Sequence, residues 1–160
     1  MNSDMTNVIE ASGILAIATR LQRLSDQLRK DGQLIYKANG IDFEPKWFPV
    51  IYTLHHKPLL SVVEIAAEIG YAHPSTISLL KELEKQKLIR SRKDKLDERK
   101  RLIVLTEKGK DLVLQMQPVW KKMEAALSAL TDTKHNLMKA IEQAEAGLRV
   151  QSFYERALQL

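Results

Sequence analysis

Twelve Lys and Arg side chains stand against six Asp and Glu between Pro74 and Lys110, a local excess of six positive charges. The whole chain carries +5, so the rest of the sequence sums to −1. Guanidinium and ammonium groups packed this closely neutralise polyanions and take little part in bond making at neutral pH. Arg90, Arg92, Lys93, Lys95, Arg99 and Arg101 form the densest run, with Asp97 among them. Other chemistry finds little support. There is no cysteine, which excludes a disulfide framework, a thiolate metal site and a thiol nucleophile. His55, His56, His73 and His135 show no metal-ligand spacing with acidic partners, and no Gly-rich phosphate loop follows a strand. The expectation is therefore no catalytic residue, no metal and no cofactor.

Two short helices joined by a turn must position the upstream part of this set. Ser61-Val62-Val63-Glu64 reads as a capping box that opens the first helix, and Ser61 is counted with the nucleic-acid-facing residues. Gly70 permits a tight turn, and Pro74 suits the first turn of the second helix. Projected at 100° per residue, Thr76, Leu79, Leu80 and Leu83 share one face of that helix. Pro74, Ser78, Lys81 and Lys85 share the opposite face, with Ile77 at its edge. A small, polar and basic face of this kind suits the floor of a major groove, with His73 and Ser75 at the helix start.

Leu88-Ile89 and Leu102–Thr106 have strand character on either side of the polar Arg90–Arg101 stretch, which gives a basic hairpin beside the second helix. Upstream, Ile14, Ile17, Leu21, Leu24, Leu28 and Ile35 follow a 3,4 spacing along a helix expected to run unbroken from Val8 to about Lys37. Asn39-Gly40 should end it. Pro49, one turn after Pro45, predicts a distorted helix start or one nearer Trp47. Downstream, Thr106 should cap a helix with Leu112, Met116, Val119, Trp120, Met123, Leu127 and Leu130 in one stripe and Pro118 as a kink. A last helix is expected from about Thr133, with Leu137, Ile141, Ala144 and Leu148 on one face and Gly147 interrupting it. The fold class is mainly α with a small β-wing: a winged helix-turn-helix with long N- and C-terminal dimerisation helices. The segments are 1–40 for N-terminal dimerisation, 41–110 for DNA binding and 111–160 for C-terminal dimerisation.

The opening residues place no basic region ahead of an apolar run, so no signal peptide is expected. No apolar stretch approaches membrane-spanning length. A cytoplasmic protein without a membrane partner is the expectation.

Asp97-Glu98-Arg99, Leu105-Thr106 and Gly109 match the wing pattern D-x-R-x5-L-T-x-x-G, and with it the sequence resembles the MarR family of bacterial winged-helix regulators. Leu60–Ala66 and Leu83–Ile89 fall where that family's helix-turn-helix segments would lie. A narrower similarity, through Phe43–Pro49, His73-Pro74 and Gln117–Trp120, is to MarR-type domains fused to a GNAT acetyltransferase, although no transferase sequence lies within these 160 residues. The resemblance implies a homodimer built from the terminal helices and a double-stranded DNA partner. It also implies that Arg99 enters the minor groove with its guanidinium held by Asp97. A small aromatic ligand is a further implied partner, and the clustered aromatics Tyr36, Trp47, Phe48, Tyr52 and Trp120 are its candidate pocket. Lys87 occupies a turn position that the family usually gives to glycine. The alternative is a winged-helix module that binds protein and not specific DNA, but such a module would more often expose apolar groups where Ser78, Lys81 and Lys85 stand.

Overall fold

The structure, a computed structural model, describes residues 7–160. Met1–Thr6, on which the expectation of no signal peptide partly rests, lie outside the described residues. The chain divides into two compact units, residues 1–119 and 120–160.

The first unit opens with a short helix α1 (Val8–Ala11), a 3-10 turn (Gly13–Ala16) and the long helix α2 (Ile17–Ala38). One unbroken helix was expected here. Gly13 takes φ +61, which a right-handed helix does not contain, and the Ser12 hydroxyl donates to the Ile9 carbonyl at 2.7 Å. The break follows from those two residues. At the other end Gly40 takes φ +71, and the Ile41 and Gly40 amides donate back to the Tyr36 and Lys37 carbonyls at 3.0 Å. This is a Schellman closure of the orphan carbonyls.

Pro45–Trp47 forms a single 3-10 turn, and α3 (Phe48–His56) follows with Pro49 inside its first turn, where no amide donor is needed. A two-residue strand β1 (Leu60–Ser61) leads into α4 (Val62–Ile69), which carries the expected capping box. The Glu64 amide donates to Ser61 Oγ at 3.3 Å, and the Ser61 amide donates to Glu64 Oε2 at 2.7 Å. The Ser61 backbone amide first, and the Ser61 hydroxyl second, hold the Glu64 carboxyl below the usual carboxylate range. Gly70 closes α4 in the left-handed conformation, and α5 (His73–Lys85) begins three residues later with Pro74 in its first turn.

Strands β2 (Ile89–Lys93) and β3 (Arg101–Leu105) pair antiparallel with Ile89 opposite Leu105 and Lys93 opposite Arg101, and β1 adds to the far edge of β3. Helix α6 (Glu107–Thr131) starts directly after β3. Val50, Ile51, Leu54, Ile65, Leu83, Val113 and Met116 are fully enclosed and form the heart of this unit. They come from α3, α4, α5 and α6, so the mutual placement of these helices depends on one shared core.

The turn after α5 is the tightest part of the unit. Lys87 is the one non-glycine described residue at positive φ, +60. Its amide donates to Glu84 and the Leu88 amide to Leu83, at 2.9 and 3.1 Å, a second Schellman closure. The Leu88 carbonyl then meets the start of α6. The Thr106 amide donates to it at 3.0 Å, the Thr106 hydroxyl reaches both it and the Lys87 carbonyl, and Thr106 Oγ1 accepts from the Gly109 amide at 3.0 Å. A Cβ on Gly109 would stand 2.2 Å from the Leu88 oxygen. Thr106 and Gly109 of the wing pattern are therefore joint residues.

The second unit holds the rest of α6 with α7 (Leu137–Val150) and α8 (Phe153–Leu158). Helix α7 begins later than Thr133 because Asn136 Oδ1 takes the Lys139 amide at 3.1 Å. Gly147 does not interrupt it; the helix runs through to Val150, and the Gly147 carbonyl accepts from Arg156 at 3.1 Å. Ser152 and Glu155 form a capping box for α8. No helix among the described residues is long and apolar enough to cross a membrane.

The joint yields a pair of predictions of opposite sign. Lys87→Gly removes left-handed strain at the cost of backbone entropy and should stabilise the fold by about 0.5–1 kcal/mol. Gly109→Ala forces a Cβ against a backbone carbonyl and should destabilise it by about 1–3 kcal/mol. Thermal unfolding of both variants measures the two shifts; a loss of stability in Lys87→Gly, or none in Gly109→Ala, contradicts this account of the turn.

Candidate nucleic-acid interface

Helix α5 is built as a two-faced element. Thr76, Leu79, Leu80 and Leu83 are buried, while Pro74, Ser75, Ser78, Lys81 and Lys85 are exposed and Ile77 is half-buried at the edge. The buried Thr76 hydroxyl donates to the Ala72 carbonyl at 3.1 Å, so the core face keeps no unsatisfied donor. His73 is exposed at the helix start. Ser61 differs from the rest of the expected set: it is buried at 8% exposure, and its hydroxyl is engaged by the α4 cap.

A contact legible only in three dimensions fixes the pitch of α5. Trp47 is 5% exposed, and its indole N–H donates to Glu82 Oε1 at 3.0 Å. The same carboxylate pairs with Lys46 at 2.8 Å, and Lys46 also meets Glu44 at 3.1 Å. The Lys46 ammonium first, and the Trp47 N–H second, hold the Glu82 carboxyl below the usual carboxylate range. Glu82 and Glu44 raise Lys46 in turn. Trp47 stacks edge-on to Phe43, with ring centroids 5.6 Å apart, and Phe43 to Tyr36 at 5.0 Å. A continuous chain of buried aromatics thus runs from the end of α2 to the outer turn of α5. A buried indole needs an acceptor, which is the one hint the sequence offers of this pair.

The wing tip spans Asp94 to Lys100. The Asp94 amide donates to the Lys100 carbonyl at 3.1 Å, and the Asp94 carboxylate accepts from the Leu96 amide at 2.9 Å. Asp97 was expected to hold the Arg99 guanidinium. Its carboxylate instead accepts from the Arg99 backbone amide at 3.0 Å, and no Asp97–Arg99 ion pair is present among the described residues. The geometric reason is local: an Asp two residues before an amide closes an Asx turn more readily than it reaches a long, solvated side chain. Lys95, Asp97 and Arg99 are all exposed at the tip.

Strand alternation sorts the remaining cations. Ser91 lies on the α5 side of the sheet, where its hydroxyl donates to Glu84 at 3.1 Å. Lys93 and Arg101, opposite one another, share that side. Arg90 and Arg92 point to the other face, beside Val104 and Leu102.

The five candidate pocket aromatics separate. Tyr36 and Trp47 are buried in the chain just described, whereas Phe48 and Tyr52 are 37% and 41% exposed and stack on each other at 4.9 Å along α3. Tyr52 continues to His56 at 4.5 Å. Trp120 belongs to the second unit. Among the described residues, no group of His, Cys, Asp or Glu is arranged to hold a metal ion.

Among solved structures, a Mycobacterium tuberculosis transcriptional regulator, MOSR, in complex with DNA is similar over 85% of this chain and 96% of its own, with a TM-score of 0.69 and 19% identity. The Staphylococcus aureus MepR–DNA complex is similar over 83% and 93%, with a TM-score of 0.64 and 22% identity. The repressor CouR, bound to a 23-mer DNA duplex, gives 0.64 and 23% identity over 86% and 96%. No curated protein sequence matches the chain. At these identities the structural likenesses establish the fold, a winged helix. The MarR family model matches residues 41–100, the span that holds α3, α4, α5, β2 and the wing tip. With that match and this fold, residues 41–100 of the chain are similar to the MarR family of winged helix-turn-helix proteins.

Proposed function

We propose that the chain is a DNA-binding transcriptional regulator that acts as a homodimer on an inverted-repeat operator. One observation carries the DNA part: α5 presents a small, polar, doubly cationic face while its opposite face is locked into the core. Pro74, Ser75, Ile77, Ser78, Lys81 and Lys85 meet the major groove in this reading, with His73 at the edge. Lys93, Lys95 and Arg101 neutralise phosphates, and Arg99 enters the minor groove. The MOSR, CouR and MepR relatives, each solved with DNA, support it by analogy. The reading assigns no catalytic residue and no cofactor, and places the protein in the cytoplasm with its DNA.

The dimer rests on a different feature. Ile14, Ile17 and Leu21 are 78%, 53% and 46% exposed in the isolated chain, and Leu24 is exposed beside them. An apolar seam of this length on a long helix is costly in water and gains by meeting a second copy. The terminal segments 1–40 and 111–160 are assigned to that role. Release by a small ligand completes the proposal.

Light scattering at micromolar concentration should give twice the 18.3 kDa chain mass. Replacing Leu21 and Leu24 with Glu should yield monomer or unfolded protein. A folded wild-type monomer contradicts the dimer.

Arg99→Ala should leave thermal stability unchanged and weaken binding to the selected operator by about 1–3 kcal/mol. The observed Asx turn makes Asp97→Asn a discriminating variant. Asn keeps the acceptor for the Arg99 amide, so operator affinity should stay within about twofold, while Asp97→Ala should lose affinity with the turn. An Asp97→Asn loss equal to that of Asp97→Ala would show that the carboxylate charge, and not the turn, is what matters.

A further inference from the structure

Glu82 stands four residues after Ser78 on α5, so the two are neighbours on the surface of the helix. A free carboxylate beside Ser78, Lys81 and Lys85 would repel a polyanion and cancel part of their charge. This one is engaged. Its Oε1 accepts from the Trp47 indole N–H at 3.0 Å and pairs with Lys46 Nζ at 2.8 Å, both from the 3-10 turn ahead of α3. Glu44 meets the same ammonium at 3.1 Å.

The ion pair has little to do with stability. The Lys46 and Glu82 side chains are 47% and 35% exposed, and pairs so placed add little to folding. The indole is a different case: it is buried, and Glu82 is the acceptor of its N–H. Leucine packing on the opposite face of α5 is non-directional and tolerates a small roll of the helix. A hydrogen bond weakens steeply as its angle departs from linear, so it resists that roll. Behind Trp47, the buried Phe43 and Tyr36 continue the edge-on contact to the last turn of α2, with ring centroids 5.6 and 5.0 Å apart. One carboxylate thereby registers the exposed face of α5 to the end of α2.

From this we infer that Glu82 is a positioning residue: held by Trp47 and Lys46, it sets the roll of α5 without touching DNA. It thus governs how well the chain tells its operator from other sequences. Phosphate contacts tolerate a small roll because long, flexible cations follow it, whereas base-edge contacts do not. Loss of the clamp should cost specific binding and spare non-specific binding. That consequence rests on the proposed function; the registration of α5 does not.

The test is a pair of anisotropy titrations of the full chain at constant ionic strength. One uses the operator duplex selected from random DNA, the other a scrambled duplex of equal length and composition. Their affinity ratio cancels the effect of charge as such, which acts on both duplexes alike. Glu82→Gln keeps an oxygen for the indole and should hold the ratio within about twofold. Glu82→Met and Trp47→Phe break the bond from either end. Each should lower the ratio at least about fivefold, the loss of one base contact, and the double variant should be no worse than Trp47→Phe alone. In the free chain, the amides from Ser78 to Lys85 should shift in Glu82→Met and Trp47→Phe and stay in place in Glu82→Gln. Folded Glu82→Met and Trp47→Phe proteins that keep the wild-type ratio overturn the inference. So do Gln and Met variants that tighten both duplexes alike, since Glu82 would then act only as a charge. Should Glu82→Met fail to fold, Trp47→Phe decides. A wild-type chain that prefers no duplex sinks the regulatory reading, and the α5 shifts then decide the registration by themselves.

Discussion

The winged helix of this chain is organised around one backbone oxygen, the carbonyl of Leu88. It lies where α5 has ended and the wing has not begun, and three groups converge on it: the Thr106 amide, the Thr106 hydroxyl and the unsubstituted Cα of Gly109. Because β2 starts one residue later and α6 starts at Glu107, that single junction sets the angles between α5, the hairpin and the long helix. The constraint explains residue types that charge and hydropathy leave arbitrary. Thr106 brings a hydroxyl that both donates and accepts, Gly109 allows a close approach, and Lys87 bears the left-handed turn that delivers Leu88 to its place.

From the joint outward, core packing and exposed charge are divided between opposite faces of the same helix. The leucines of α5 enter a core shared with α3, α4 and α6, and Glu82 ties the flank to Trp47 and Lys46. Lys81 and Lys85 remain solvated. A cation left in water keeps its charge available to a polyanion, whereas one engaged by a local carboxylate has already lost part of that attraction. The sheet repeats the division: Ser91, Lys93 and Arg101 share the α5 side, and Arg90 and Arg92 the other. For this reason the basic run of the sequence is two groups and not one.

Much of this was legible in the residues because it depends on short-range rules. The Ser61–Glu64 capping box, the buried Thr76/Leu79/Leu80/Leu83 face, the Gly40 and Gly70 stops and the hairpin flanks all follow from spacing and local chemistry. The departure of Lys87 from glycine also found its physical counterpart, a positive φ. What escaped depends on competition or on distance. The helix expected from Val8 runs back past the start of the Ile14–Ile35 periodicity, and the positive torsion at Gly13 breaks it there. Asp97 had two possible partners on Arg99, and the nearer one, its amide, took the carboxylate. Trp47 and Glu82 are thirty-five residues apart, so nothing local pairs them. The aromatics looked like one cluster, yet adjacent helical positions diverge by about 100°, which buried Trp47 and exposed Phe48.

The central claim is that a two-fold pair of these winged helices reads a specific duplex. Selection of bound sites from random double-stranded DNA by the purified full chain, at physiological salt, tests it most directly. The account predicts one enriched motif with inverted symmetry and half-site centres about 10 bp apart, one helical turn. Recovery of no motif, or of an asymmetric motif bound equally well by a single half-site, would contradict it.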